Sequence, residues 1–365
     1  MKTFQKLKQK PELWKQYWMR EAVIDAIRAF FKSRGFHEAE VPLLLPTPST
    51  EPFLEVFKTE LKDDQGNRWN GFLPSSPEFA LKKLLSAGSG SVFTITKSFR
   101  NGEGRSSRHN PEFTILEWYH TPGDYMTVAE DFEELMLYIN TVNHVKQVNQ
   151  VNHVNHVNQV KQVEQENPEI LRYQGKEYSL KTPWERVSVA EAFQKYAGID
   201  TETMLDRDKL FVASKNKGYQ VDQKSTWEEM WNQIIANEIE PKLGVNGPTI
   251  MYDFPVSQAA LARKARDPRF AERWEVYLAG YELGNCFSEL TDWREQESRC
   301  KADLLERKKL GKTEYPMDTD FIEALKLGMP ETGGIAVGVD RLVTLFADTP
   351  SIADTLFFPV EEMFS

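Results

Sequence analysis

Two arginines stand in contexts suited to chemistry. Arg100 lies in Phe99-Arg100-Asn101, and Arg341 lies in Gly338-Val339-Asp340-Arg341-Leu342. Carboxylates recur in three further stretches: Ser75-Ser76-Pro77-Glu78-Phe79, His109-Asn110-Pro111-Glu112-Phe113 running on to Glu117-Trp118-Tyr119, and Glu282-Leu283-Gly284-Asn285-Cys286-Phe287-Ser288-Glu289. Fixed guanidinium groups suit a reaction that joins two anions, because a planar donor fork grips a carboxylate or a phosphate with two parallel bonds. Several carboxylates gathered in a partly closed cleft repel each other and call for a cationic guest. Rival chemistries lack their signatures. The chain has no Gly-x-x-x-x-Gly-Lys-Ser/Thr loop, no His-Glu-x-x-His and no Gly-x-Ser-x-Gly elbow. Two cysteines, Cys286 and Cys300, cannot build a disulfide framework or a four-cysteine zinc site.

The elements that must position these residues follow from periodicity. Trp14, Trp18, Val23, Ile27 and Phe30 recur at helical spacing up to Gly35. The apolar run that follows reads as strand-like but is broken by Pro42, Pro46 and Pro48. Residues 90–104 and 110–120 read as two antiparallel strands joined by a polar, Gly-bearing loop. Strand signals return in 248–255, 273–283 and 285–292, and the segment 333–350 reads as a Gly-rich strand entering a helix. Strands and helices mix without a regular βαβ alternation, which points to an α+β fold. We expect one catalytic domain over residues 1–365 with two insertions. One is a helical segment, 188–246. The other, 141–166, is a low-complexity Val/Asn/His/Gln repeat with a valine every third residue, a period that would wind around every face of a helix.

Composition narrows the partners. Asp and Glu number 55 against 45 Lys and Arg, a net charge of −10, so a general basic coat for nucleic acid is excluded. No stretch approaches the ~18 apolar residues of a membrane span, and the start has no apolar signal core; a cytoplasmic protein is expected.

Three of these stretches, in this order, resemble motifs 1, 2 and 3 of the class II aminoacyl-tRNA synthetases, in the lysyl branch: Gly35-Phe36 to Pro42, Phe99 through Tyr119, and Gly338 to Leu342. Segments 75–79 and 252–262 look like the elongation factor P–lysine ligases, truncated relatives of that branch. The resemblance implies a class II catalytic core, an antiparallel sheet flanked by helices, with ATP and Mg²⁺ as cofactors. It implies Arg100 and Arg341 as catalytic residues, Arg100 bridging carboxylate and α-phosphate and Arg341 at the γ-phosphate. ATP would also meet Asn101, Glu103, His109, Asn110, Phe113, Glu282, Leu283 and Gly338, while Glu275 and Glu282 would hold Mg²⁺. Lysine or β-lysine would be bound by Ser76, Glu78, Glu117, Tyr119, Asn285, Glu289 and Ala336. Gly102 looks inserted beside Glu103, and Cys286 stands where the family commonly has glycine.

Motif 1 begins almost at once, which leaves no room for an anticodon-binding domain. The expectation is therefore an ATP-dependent ligase that activates lysine or (R)-β-lysine as the adenylate and passes it to a lysine side chain of elongation factor P. A homodimer is expected, and tRNA is expected not to be the acceptor. The alternatives are a lysyl-tRNA synthetase lacking an anticodon domain, or a non-catalytic regulator derived from one.

Overall fold

The computed structural model describes residues 1–102, 106–154 and 167–364, and for 144–154 the backbone alone. Its strands, in chain order, are β1 (His37–Glu38), β2 (Lys58–Lys62), β3 (Arg68–Phe72), β4 (Val92–Phe99), β5 (Glu112–His120), β6 (Ile170–Tyr173), β7 (Lys176–Ser179), β8 (Glu185–Ser188), β9 (Thr249–Pro255), β10 (Phe270–Leu278), β11 (Tyr281–Ser288) and β12 (Gly333–Gly338). Eight of them make one sheet in the order β1-β4-β5-β12-β11-β10-β9-β8. The six inner strands pair antiparallel, β4 with β5 as their sequence predicts. At the edges β1 and β8 lie parallel to their neighbours, so the expected antiparallel sheet is mixed at its margins. The edge is short at β1 because prolines at 42, 46 and 48 donate no ladder hydrogen bonds.

Alternation along the strands separates two faces. One face sends Leu116, Trp118, Trp274, Val276, Leu283 and Val337 into the main core, where they meet Ile27, Phe30 and Phe31 of the helix Trp14–Ser33 and Phe132 and Leu135 of the helix Tyr125–Val154. The opposite face carries the candidate site and is flanked by the helix Glu78–Ser86, which packs with Phe321 and Leu325 of the helix Thr319–Gly328. A second core lies among the helices between Val189 and Lys242, with Phe193, Met230, Trp231 and Ile234 against Met251 and Phe254 of β9.

The helix Tyr125–Val154 runs into the valine repeat, where the period-three pattern predicts no helical face. Backbone hydrogen bonding needs no apolar stripe once a helix has paid for nucleation, so the helical backbone continues into the repeat. Residues 155–166 of the repeat lie outside the described residues. No helix of the described residues is long and apolar enough to cross a membrane.

Candidate active site

Cross-strand register brings the site residues into rows. In one row Glu275 faces Asn285, Asn285 faces Ala336, and Ala336 faces Glu117. In the next, Arg273 faces Phe287, then Gly334, then Tyr119. Side chains of directly paired residues emerge on the same face of a sheet. A cavity of about 600 Å³ opens over these rows, lined among others by Ser76, Glu78, Arg100, Glu117, Tyr119, Arg273, Asn285, Glu289 and Ala336. Gly334 is the floor: a Cβ there would collide with Glu289 Oε1 and the Tyr119 ring. All seven residues expected to hold the amino acid therefore converge.

The cavity is acidic. Glu117 and Glu289 are 1% and 2% exposed. Ser76 Oγ donates to Glu117 Oε1 at 2.6 Å and accepts the Glu78 N–H at 3.0 Å, tying the start of the helix Glu78–Ser86 to β5. Tyr119 donates its hydroxyl to the other Glu117 oxygen at 3.3 Å. Burial and then the charge of Glu78 push the Glu117 carboxyl up to about 8. Burial likewise pushes Glu289 up, while Lys82 pulls it down.

A β-bulge builds the other half of the site. Register shifts between Val276 and Tyr277, so that Tyr277 faces Glu282 while Val276 faces Gly284, and Leu283 is the extra residue. Glu282 thereby joins Glu275 and Asn285 on one face. Glu275 accepts from Arg273 Nη2 at 2.6 Å and from the Tyr277 hydroxyl at 2.5 Å. Partial desolvation in the cleft, then the charge of Glu275, push the Glu282 carboxyl up, against the pull of Arg341 3.8 Å away. Its side chain keeps 43% of its exposure, so it faces an open cleft. Two crowded carboxylates with hard oxygen donors fit Mg²⁺, which takes one or two carboxylates and completes its shell with phosphate and water. Among the described residues no group of three or more His, Cys, Asp or Glu could hold a metal alone.

Arg341 lies in the first turn of the helix Val339–Phe346, just after β12. Its guanidinium donates to the Glu282 carbonyl at 2.5 Å and lies 3.2 Å from His109 Nε2, while His109 Nδ1 meets Ser106 Oγ at 3.0 Å. Asp340, buried beside it, accepts from Arg20 at 2.5 Å and from the Thr114 N–H at 2.9 Å, which locks that helix to β5. The Arg100 guanidinium lies 5.2 Å over the Phe113 ring. Gly338 caps the Arg341 helix.

Not every expected residue joins the group. Leu283 turns its side chain into the main core. Asn110 is buried and spans Glu112 and Val360, bracing the C-terminal segment. Asn101 is exposed, its N–H donated to Glu55. Glu103 lies outside the described residues. Cys286 is a buried thiol on the core face, pushed up by burial. Two residues are new. Arg273 links the Glu275 carboxylate to Asn285 Oδ1, 3.1 Å away. Lys82, fully buried, pairs with Glu78 and Glu289. The i, i+4 spacing of Glu78 and Lys82 was the available signal for the second.

Comparison with known proteins agrees with this geometry. Residues 2–362 match the family described as tRNA synthetases class II (D, K and N). The chain is 33% identical over 353 residues to a lysine–tRNA ligase of Moorella thermoacetica, covering 96% of this chain and 66% of that protein. It is 33% identical over 344 residues to a lysine–tRNA ligase of Chloroflexus aurantiacus, covering 93% of this chain and 64% of the relative. The chain thus spans just under two thirds of these relatives. An elongation factor P–(R)-β-lysine ligase of Actinobacillus succinogenes is 34% identical over 343 residues, 93% of this chain and 94% of that protein. These names correct one expectation. Most of the similar proteins are lysine–tRNA ligases, which contradicts the expectation, drawn from the missing anticodon-binding domain and the acidic composition, that tRNA is not the acceptor. A net charge averages over the surface and says nothing of a local patch.

Proposed function

The chain belongs to the class II tRNA synthetases (D, K and N), and on that premise we propose that it activates lysine as lysyl-adenylate and delivers it to tRNA. Membership makes it a ligase working by ATP chemistry. The observation that carries lysine over aspartate or asparagine is the meeting of Glu78, Glu117 and Glu289 in one buried cavity. A guest with two ammonium groups neutralises such a pocket, whereas an aspartate side chain would add to its charge.

In this reading Glu289 and Tyr119 receive the side-chain ammonium, Glu78 the other amine, and Asn285 the carboxylate. Ala336 and Ser76 shape the wall. One carboxylate oxygen of lysine attacks the α-phosphorus of ATP; the bond to the β-phosphate oxygen breaks and pyrophosphate leaves. Arg100 holds both anions through this exchange, and Arg341 with His109 holds the far phosphates. Phe113 stacks on adenine. Glu275 and Glu282 would hold Mg²⁺, which when bound neutralises charge on the triphosphate. A homodimer belongs to the same proposal.

A second acceptor, a lysine side chain of elongation factor P, is supported by the similarity to the Actinobacillus ligase along nearly that protein's whole length. Incubating the protein with ATP and radiolabelled lysine or β-lysine, with lysine tRNA and elongation factor P supplied separately, tests both. Label on tRNA supports the main reading, and label on the protein alone replaces it with the second. Label on neither, with no adenylate formed, defeats both.

A further inference from the structure

Lys82 has no place in the adenylation chemistry, yet it is 0% exposed between two carboxylates of the cavity. Its Nζ lies 2.6 Å from Glu78 Oε1 and 2.5 Å from Glu289 Oε2. The one ammonium is thus shared between two carboxylates. Fully buried lysines are rare unless paired, and this one is paired twice. Both partners keep a second oxygen. For Glu289 that oxygen, Oε1, lies against Gly334 at the cavity floor. The groups around the pair come from four elements: Glu78 on the lysine's own helix, Glu117 and Tyr119 on β5, Glu289 after β11, and the Cys300 thiol on the helix Trp293–Lys309.

Resting on the reading of this cavity as a lysine pocket, we propose that Lys82 is a positioning residue that sets the pocket's charge. It sets one positive charge between Glu78 and Glu289 and holds one oxygen of each, leaving the other oxygen of each to a substrate ammonium. Without it Glu78, Glu117 and Glu289 would share a cavity that Glu51 and Asp303 also line, and like charges at that range force protons onto some of them. A protonated carboxyl is a poor partner for ammonium. Lys82 thus lets the pocket demand two positive charges from its guest, and so excludes amino acids that carry one.

Lysine-dependent ATP–pyrophosphate exchange, followed from pH 6 to 9, tests this in the full chain. Lys82→Met keeps most of the stem and removes the charge. It should raise KM for lysine about tenfold at neutral pH, with KM for ATP unmoved. The pH at which the lysine KM levels off should rise by about one unit. Lys82→Arg keeps the charge at a cost in packing, and should lower Tm while leaving that midpoint in place. Glu78→Gln combined with Lys82→Met removes one buried charge of each sign and should return the midpoint towards the wild-type value. That double variant carries the test if Lys82→Met does not fold. A midpoint unmoved in Lys82→Met, or still raised in the double variant, overturns the role of Lys82 while the lysine reading stands. Exchange in the wild type with another amino acid and none with lysine overturns both.

Discussion

Glu282 and Asn285, three positions apart on β11, point to the same face of the sheet. In a regular strand they would face opposite ways, because side chains alternate. The bulge at Leu283 absorbs the difference, so a carboxylate for the phosphate end and an amide for the amino-acid end rise from neighbouring turns of one strand. Arg273, on β10, bonds to Asn285 and to Glu275, which tie the two halves together.

On the proposed reading, Mg²⁺ falls to Glu275 and Glu282. Glu282→Gln should raise the Mg²⁺ concentration for half-maximal exchange by at least about tenfold, the least that loss of a supporting partner costs a metal site. KM for lysine should change little. Titrating Mg²⁺ at saturating ATP and lysine checks it; an unchanged midpoint would remove Glu282 from the metal.

Arg100 and Arg341 should act on the developing charge. Alanine at either position should lower kcat for exchange by about 10² to 10³, the usual loss when a transition-state donor is removed. Steady-state exchange at saturating substrates gives the number. A variant within about threefold of wild type would mean its arginine only pairs with neighbours.

Glu117 predicts a pH dependence. Burial and Glu78 hold its carboxyl up at about 8 in the empty cavity, whereas an ammonium guest favours the ionised form. Below pH 8 lysine binding must therefore release a proton. The lysine KM should fall about tenfold per unit as pH rises from 6 towards 8, then level. Glu117→Gln should flatten this slope. A wild-type KM independent of pH in that window would contradict it.

Gly334 predicts a steric result. Alanine there meets Glu289 Oε1 and the Tyr119 ring, neither of which can retreat far. Overpacking costs about 1–3 kcal/mol, so the lysine KM should rise roughly five- to 150-fold. Ala336→Gly, one row away, removes a methyl and should be tolerated. Equal KM values for Gly334→Ala and wild type would show that the floor is wider than described.

The sequence carried the motif stretches, the β4–β5 pair and the acidic character of the pocket, because each depends on local order or on residues of distinctive type. It did not carry the bulge. Register is a property of two strands, and nothing in Glu282-Leu283-Gly284 says which residue goes unpaired. Lys82 was missed for a similar reason: nothing in Lys82-Lys83 says which of the two the packing of the Glu78–Ser86 helix buries. The helix running to Val154 shows the limit of face-based reasoning, since a helical backbone can form without a periodic apolar face.

The central claim is that this cavity selects a diamino acid from among the substrates its family covers. ATP–pyrophosphate exchange measured with lysine, aspartate and asparagine, each at the same concentration, tests it most directly. The account predicts exchange with lysine and background with the other two. Exchange driven by aspartate or asparagine, with none from lysine, would contradict it.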